Sequence, residues 1–112
     1  MDLENSKIKS YNFLEDMYRD SYFPDFLVDK GKEILLKLCS LIEETNPKDD
    51  ALIYKLTHAA TEKFNDLNHE FGENGSEIET AARDCIGMDF DFIVKSYGFD
   101  LDIEEVIAPR DW

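Results

Sequence analysis

The sequence predicts an all-α protein, an antiparallel helical bundle of three long helices with a short N-terminal helix and a short C-terminal helical tail. Apolar residues recur at intervals of three and four along three long segments, which is the pattern of amphipathic helices. Proline and glycine interrupt this pattern where the segments meet, and no stretch alternates between apolar and polar residues as a strand does. Short connections between such helices favour antiparallel neighbours. We expect one domain over residues 1–112.

The first third of the chain predicts two helices. Residues 1–10 are polar and are expected to fray, and a short helix is expected from Tyr11 to about Asp20. Pro24 suits the first turn of the next helix, which is predicted to run to about Thr45. Gly31 predicts a weak point in that helix, either a bend or a close approach by another backbone.

The remaining elements follow from their boundary residues. The segment 46–49 (NPKD) predicts a stop and a restart, and the helix expected over 50–71 has the clearest apolar period in the chain. Ser76 and Glu79 have the spacing of a capping box for a helix that runs to about Tyr97, with Gly98 as its C-terminal cap. One or two further turns are predicted within 102–107.

Charge decides which classes of partner are expected. The chain has 26 acidic residues, 12 Lys and Arg residues and a net charge of −14. Residues 66–112 hold 13 of the acids and 3 of the bases, a net of −10. Such a surface repels phosphate backbones and anionic lipid and attracts basic proteins. We therefore expect a basic protein partner, no nucleic acid, no membrane and a cytoplasmic location, since neither a signal peptide nor a bilayer-spanning apolar run is present.

A metal site is the alternative use of the polar side chains on the helix predicted over 50–71. The candidate ligands are His58, Glu62, Asp66 and His69. Positions 58, 62, 65 and 69 form a stripe opposite the core face, and the two histidines lie roughly 16 Å apart on a straight helix. One ion cannot bridge them, so the set is expected to be a solvated face or a protein-contact face, and a metal site would need ligands from another element, such as acids of the following helix.

Two further features complete the list of candidate side chains. Cys39 and Cys85 both fall on apolar stripes, which predicts buried, reduced thiols instead of a disulfide or a metal pair. The segment 108–112 (APRDW) either contacts a partner or folds back, with Trp112 in a groove and Arg110 paired with a carboxylate. No cofactor is predicted. The expected partner-binding residues are Glu70, Glu73, Glu77, Asp84, Asp100, Asp102, Arg110 and Trp112.

The chain resembles a family of small bacterial proteins known only as a domain of unknown function. The residues that carry the resemblance are Tyr22-Phe23-Pro24, Phe26 to Lys32, Leu56-Thr57-His58, Ser76-Glu77-Ile78-Glu79-Thr80 and Ala108-Pro109-Arg110-Asp111-Trp112. The resemblance implies a bacterial origin and a single-domain extent, and it implies no mechanism.

Two hypotheses of function result. The favoured one is a protein-binding module without catalysis, similar to immunity proteins and antitoxins, whose acidic face docks a basic partner. The alternative is a metal-dependent hydrolase that uses His58, Glu62, Asp66 and His69 with carboxylates of the following helix.

Overall fold

The computed structural model describes residues 3–112, a part of the chain in which helices alternate with short turns and no strand occurs. The helices are α1 (Ser6–Lys9), α2 (Glu15–Tyr18), α3 (Asp25–Thr45), α4 (Asp50–Glu73), α5 (Thr80–Ser96) and α6 (Ile103–Val106). The predicted all-α class, the three long helices and the short helical tail are confirmed. No helix within residues 3–112 is both long enough and apolar enough to cross a bilayer.

The N-terminal segment is more ordered than predicted. The expected fraying is wrong for residues 3–10, because Asn5 caps α1 by accepting hydrogen bonds from the backbone N–H groups of Lys7 (2.9 Å) and Ile8 (3.3 Å). The side chain of Ile8 is buried in the core and anchors the helix. The expected fraying of residues 1 and 2 lies outside the described residues.

The helix predicted from Tyr11 to about Asp20 is also wrong in extent, since only α2 is helical. Phe13 and Leu14 point into the core from a non-helical segment. Leu14 adopts the left-handed conformation (φ 57°), which is rare for a residue with a side chain. Burial of the two side chains therefore overrides the local preference for helix.

The central pair of helices, α3 and α4, is antiparallel. Pro24 opens α3 by accepting from the N–H groups of Leu27 (3.0 Å) and Val28 (3.1 Å). Asp49 caps α4 by accepting from the N–H of Leu52 (2.9 Å). The ammonium of Lys30 near the start of α3 meets a carboxylate near the end of α4, so the two helices run in opposite directions.

Gly31 marks the place where α3 is packed most closely. A Cβ atom at this position would lie 2.9 Å from Leu14 Cδ1 and 3.2 Å from Phe64 Cε1, so no side chain fits without a shift of its neighbours. The predicted close approach occurs, but side chains make it instead of a backbone.

The turn between α4 and α5 contradicts the predicted capping box. Gly75 takes a positive φ of 76°, and the N–H of Ser76 then donates to the carbonyl of Phe71 (2.9 Å). Ser76 therefore closes α4, and α5 begins four residues later with Glu79 as an N-cap that makes no side-chain bond. Gly98, with a φ of 91°, ends α5 as predicted.

The tail, defined as residues 102–112, returns along the bundle between α4 and α5. Its helix α6 packs against both of them. The core lies between α3, α4, α5 and the tail, and its largest fully buried side chains include Phe64, Phe71 and Phe90. The prediction for the cysteines is confirmed: Cys39 and Cys85 are buried, unpaired thiols. Burial raises the pKa of Cys39 to about 12 and that of Cys85 to about 11.

Candidate functional site

Exposed carboxylates collect where α3 begins and α4 ends. Because Lys30 lies beside Glu70 in an antiparallel pair, the residues just before 30 lie beside those just after 70. This brings acids from both halves of the sequence to one place. We call this surface the acidic end; its carboxylates are Asp20, Asp25, Asp29, Glu70, Glu73 and Glu77.

Two exposed aromatic side chains lie at the same place. Tyr22 precedes α3 and is 40% exposed, and Phe26 lies in its first turn and is 55% exposed. Phe23, between them in sequence, is buried and packs edge-on against Phe71 at a ring-centroid distance of 6.2 Å. The buried ring fixes the backbone that displays the two exposed ones. Aromatic side chains surrounded by charge are typical of the anchor positions of protein interfaces.

The structure brings only some of the predicted contact carboxylates together. Glu70, Glu73 and Glu77 lie in the acidic end, whereas Asp100 and Asp102 follow α5. The 17 residues of α5 span about 25 Å, which separates the two sets. Asp102 also has a structural role, because it accepts a hydrogen bond from the N–H of Glu104 (3.1 Å) and caps α6. Asp84 lies between the two sets, at a groove along α5.

Of the two arrangements predicted for Trp112 and Arg110, contact with a partner or a folded-back tail, the structure has the folded-back one. The Trp112 side chain is only 6% exposed and packs against Phe64 at a centroid distance of 6.2 Å. The Arg110 guanidinium donates to the Trp112 carbonyl (2.6 Å) and pairs with Glu104 (3.4 Å). A second guanidinium, that of Arg83, donates to the same carbonyl (3.1 Å).

The stripe expected to be a solvated face of α4 instead holds the tail at two points. Nε2 of His58 lies 2.7 Å from the carbonyl oxygen of Glu105. The amide of Asn65 donates to the carbonyl of Pro109 (3.1 Å) and accepts from the N–H of Asp111 (3.0 Å). An Asn amide can donate and accept at once, which suits it to hold a backbone. The stripe is therefore partly structural.

The metal-ligand candidates do not converge. Glu62, Asp66 and His69 are exposed on α4, whereas the His58 ring contacts the carbonyl of Glu105 in the tail. Within residues 3–112, no three His, Cys, Asp or Glu side chains come together as a set that could hold a metal ion. The alternative hypothesis required these side chains to meet acids of the following helix around a cavity, and the structure does not bring them together.

One carboxylate that is not among the predicted site residues is buried in the core. Asp89 on α5 is 3% exposed and accepts from the Tyr11 hydroxyl (2.6 Å) and the Leu14 N–H (2.7 Å). Burial raises its pKa above the ordinary value, although both hydrogen bonds act in the opposite direction. Asp89 therefore fixes the non-helical segment before α2, including the left-handed Leu14. Its position on the inner face of α5, between Ile86 and Phe90, was the signal in the sequence.

The end opposite the acidic end uses its carboxylates differently. Glu43 accepts from the N–H groups of Glu4 (2.8 Å) and Asn5 (3.2 Å) and from the Tyr97 hydroxyl. Burial raises the pKa of Glu43, but these hydrogen bonds outweigh it and leave the pKa below its ordinary value. The amide of Asn5 also donates to the carbonyl of Ser96 (2.9 Å). Glu43 thus ties the N-terminal segment to α3 and α5.

Comparison with known proteins identifies the family. A model of the family of unknown function DUF5713 matches residues 7–112, and the chain belongs to that family. This confirms the resemblance to a domain of unknown function. None of the curated proteins and none of the solved structures match the chain.

Proposed function

We propose that this protein is a non-catalytic binding module that docks a basic protein partner on its acidic end, as immunity proteins and antitoxins do. The observation that carries the proposal is the presence of Tyr22 and Phe26, both exposed, among carboxylates from both halves of the chain. Charge alone would leave the contact surface undefined, and the aromatic pair gives it a centre.

The two kinds of side chain make different contributions to binding. Exposed carboxylates act mainly on the association rate, because a chain of net charge −14 attracts a cationic partner over a distance set by the salt concentration. The aromatic rings contribute contact area and a face for arginine or lysine. Each such cation–π contact stabilises a complex by about 0.5–1 kcal/mol at an exposed site and by about 2 kcal/mol once desolvated.

The acidic end is also available for binding. The side chains of Asp25, Glu73 and Glu77 are exposed, and none of them forms an ion pair within the described part of the chain. Lys30 is paired with Glu70, and Arg19 with Glu15, so each of these two cations has a carboxylate partner within the protein.

Site-specific photo-crosslinking in the host of origin would identify the partner. A photoreactive phenylalanine analogue replaces Phe26 in one variant and Leu52, an exposed apolar residue at the other end of α4, in a matched control. We expect position 26 alone to capture a protein with a strong excess of lysine and arginine. Capture of the same proteins from both positions, or of acidic proteins from position 26, contradicts the proposal.

The purified partner then tests the role of charge. We expect the triple variant Glu70→Gln, Glu73→Gln, Glu77→Gln to slow association about tenfold at low salt. The control Glu44→Gln, Asp50→Asn, Asp100→Asn removes the same charge from exposed positions outside the acidic end, and we expect it to slow association less than about twofold. Equal effects of the two triple variants would show that net charge acts without a defined surface.

A further inference from the structure

A second concave surface lies between the N-terminal segment and α3. It is an open cavity of about 520 Å³, with one wall from residues 3–13 and the other from α3. Lys32, which lines it, lies two residues after Lys30, a rotation of about 200° around the helix. The cavity is therefore on a different face of α3 from the Lys30–Glu70 pair of the acidic end. Its size is within the range of sites for small organic molecules, about 300–1,000 Å³.

The buried part of the cavity lining is apolar. Ile8 and Phe13 are each 2% exposed and belong to the core. Leu36 on α3 is partly buried against the same core. Tyr11 also lines the cavity, but it has no free hydroxyl proton to donate to a ligand, because its hydroxyl donates to Asp89 (2.6 Å). A ligand that fills the cavity therefore needs an apolar body.

The charged residues of the lining are both cations. Lys9 and Lys32 are exposed, and neither forms an ion pair within residues 3–112. Glu43 lies near enough to Lys9 to be affected by its charge, but the three hydrogen bonds described above occupy Glu43. The groove along α5, by comparison, is lined by three bases and three acids. The cavity thus has two positive charges and no carboxylate from residues 3–112, and charge complementarity calls for an anionic ligand.

The N-terminal wall of the cavity is held in place by the rest of the bundle. Glu43 on α3 accepts from the backbone N–H groups of Glu4 and Asn5. The amide of Asn5 donates to the carbonyl of Ser96 at the end of α5, and its carbonyl oxygen caps α1. Because the wall is already ordered, a ligand loses little of its binding free energy in forming the site.

We propose that this cavity binds a small organic anion that has an apolar body and a terminal carboxylate. The apolar body contacts Ile8, Phe13 and Leu36, and the carboxylate accepts hydrogen bonds from the ammonium groups of Lys9 and Lys32. The proposal goes beyond the proposed function, since the ligand is opposite in charge to the basic partner and binds on another face of α3.

The total charge of the protein favours a free ligand over a membrane lipid. A chain of net charge −14 is repelled by a surface that carries many anionic headgroups. A single carboxylate that contacts two ammonium groups experiences mainly these two charges, because salt at 0.1 M screens exposed charges farther away than about 10 Å.

Octanoate is the probe for this site, followed by ¹H–¹⁵N spectra of the labelled protein. Octylammonium is the control with the same chain and the opposite charge, and acetate is the control with the same charge and almost no chain. We expect octanoate to shift the amide signals of Ile8, Lys9, Lys32 and Leu36. We also expect it to bind at least about tenfold more tightly than either control.

Two double variants with the same change in charge locate the site. We expect Lys9→Gln with Lys32→Gln to weaken octanoate binding about tenfold, because it removes both cations of the cavity. Lys48→Gln with Lys63→Gln removes two exposed cations outside the cavity, and we expect it to weaken binding less than about twofold. All four lysines are exposed, and circular dichroism checks that both variants are folded.

Three results would each overturn the proposal. Equal binding of octanoate and octylammonium would show that the lysines do not select the charge of the ligand. Equal weakening in the two double variants would show that only the total charge matters. Co-sedimentation with phosphatidylglycerol vesicles that is lost in the Lys9 and Lys32 variant would assign these lysines to a membrane surface. None of these results bears on the crosslinks from position 26.

Discussion

The two ends of the α3–α4 pair use similar side chains for opposite purposes. Where α3 stops and α4 starts, Glu43 accepts three hydrogen bonds and Asp49 caps a helix, so these carboxylates hold the chain together. At the acidic end, Asp25, Glu73 and Glu77 are exposed, and none of them has an ion-pair partner in residues 3–112. Asp25, Glu73 and Glu77 are thus the carboxylates of the acidic end that the fold leaves free for a partner, whereas Asp20, Asp29 and Glu70 accept from Tyr22, Tyr18 and Lys30. A count of charges along the sequence cannot show this difference.

We expect the largest difference in unfolding free energy between two aromatic substitutions, one of a buried ring in the core and one of an exposed ring at the acidic end. Trp112→Ala removes a buried ring, and we expect a loss of about 3 kcal/mol of unfolding free energy. The value lies at the low end for a tryptophan, because the buried indole N–H has no hydrogen-bond partner among the described residues and its removal offsets part of the loss. We expect Phe26→Ala to cost less than about 1 kcal/mol. Urea unfolding followed by far-UV circular dichroism measures both, and equal losses would remove the distinction.

Substitution of Asp89 is expected to cause a loss of unfolding free energy of intermediate size. Asp89→Ala leaves the Tyr11 hydroxyl and the buried Leu14 N–H without their acceptor, and we expect a loss of about 2 kcal/mol. Glu73→Ala at the acidic end is the control, with an expected change within about 0.5 kcal/mol.

The pH dependence of Asp89 has a defined sign. Its pKa is higher in the folded protein than in the unfolded chain, so it contributes stability below the unfolded value of about 3.9 and loses that contribution as the pH rises through the folded value. Asp89→Asn cannot ionise. We therefore expect its stability relative to the parent protein to improve as the pH rises above about 4, which urea titrations at several pH values measure. An improvement on acidification instead would mean that the folded protein favours the carboxylate.

Substitution of Glu43 is expected to give the smallest loss of unfolding free energy, with a pH dependence opposite in sign to that of Asp89. Its pKa is lowered in the folded protein, so its contribution is present above the unfolded value of about 4.3 and is lost as the pH falls through the folded value. We expect Glu43→Gln to lower the unfolding free energy by about 1 kcal/mol at pH 7 and by less at pH 3. Glu73→Gln is the matched substitution at the acidic end. A comparable loss of unfolding free energy in that variant would contradict the view that Glu73 does not stabilise the fold.

The sequence was sufficient for the elements with repeated local signals. The three long helices follow from apolar residues at every third and fourth position, and Gly98 marks the end of α5. It was insufficient where one long-range contact decides the structure. Ile8 is a single apolar residue in a polar segment, and Ser76 closes the preceding helix because Gly75 turns the chain back to Phe71.

Some residues of the candidate site could likewise be predicted from local sequence signals, and others could not. The acids Glu70, Glu73 and Glu77 could be found from the charge excess of the second half, but Asp25 and Asp29 lie more than forty residues earlier and join them only through the antiparallel packing. Phe26 had a recognisable signal, since it lies outside the apolar stripe of its own helix. The two tail contacts of α4, made by His58 and Asn65, depend on where the tail folds, which no local pattern encodes.

The close approach at Gly31 links two positions that are far apart in the chain. The Leu14 side chain fills the space that Gly31, which has no side chain, leaves on α3. Leu14 reaches this space from a left-handed backbone conformation that Asp89 holds by a hydrogen bond. A larger residue at position 31 would have to displace the side chains of both Leu14 and Phe64, so we expect it to be tolerated only together with changes at those positions. The hydrogen bond from the Leu14 N–H to Asp89 restricts how far Leu14 can move.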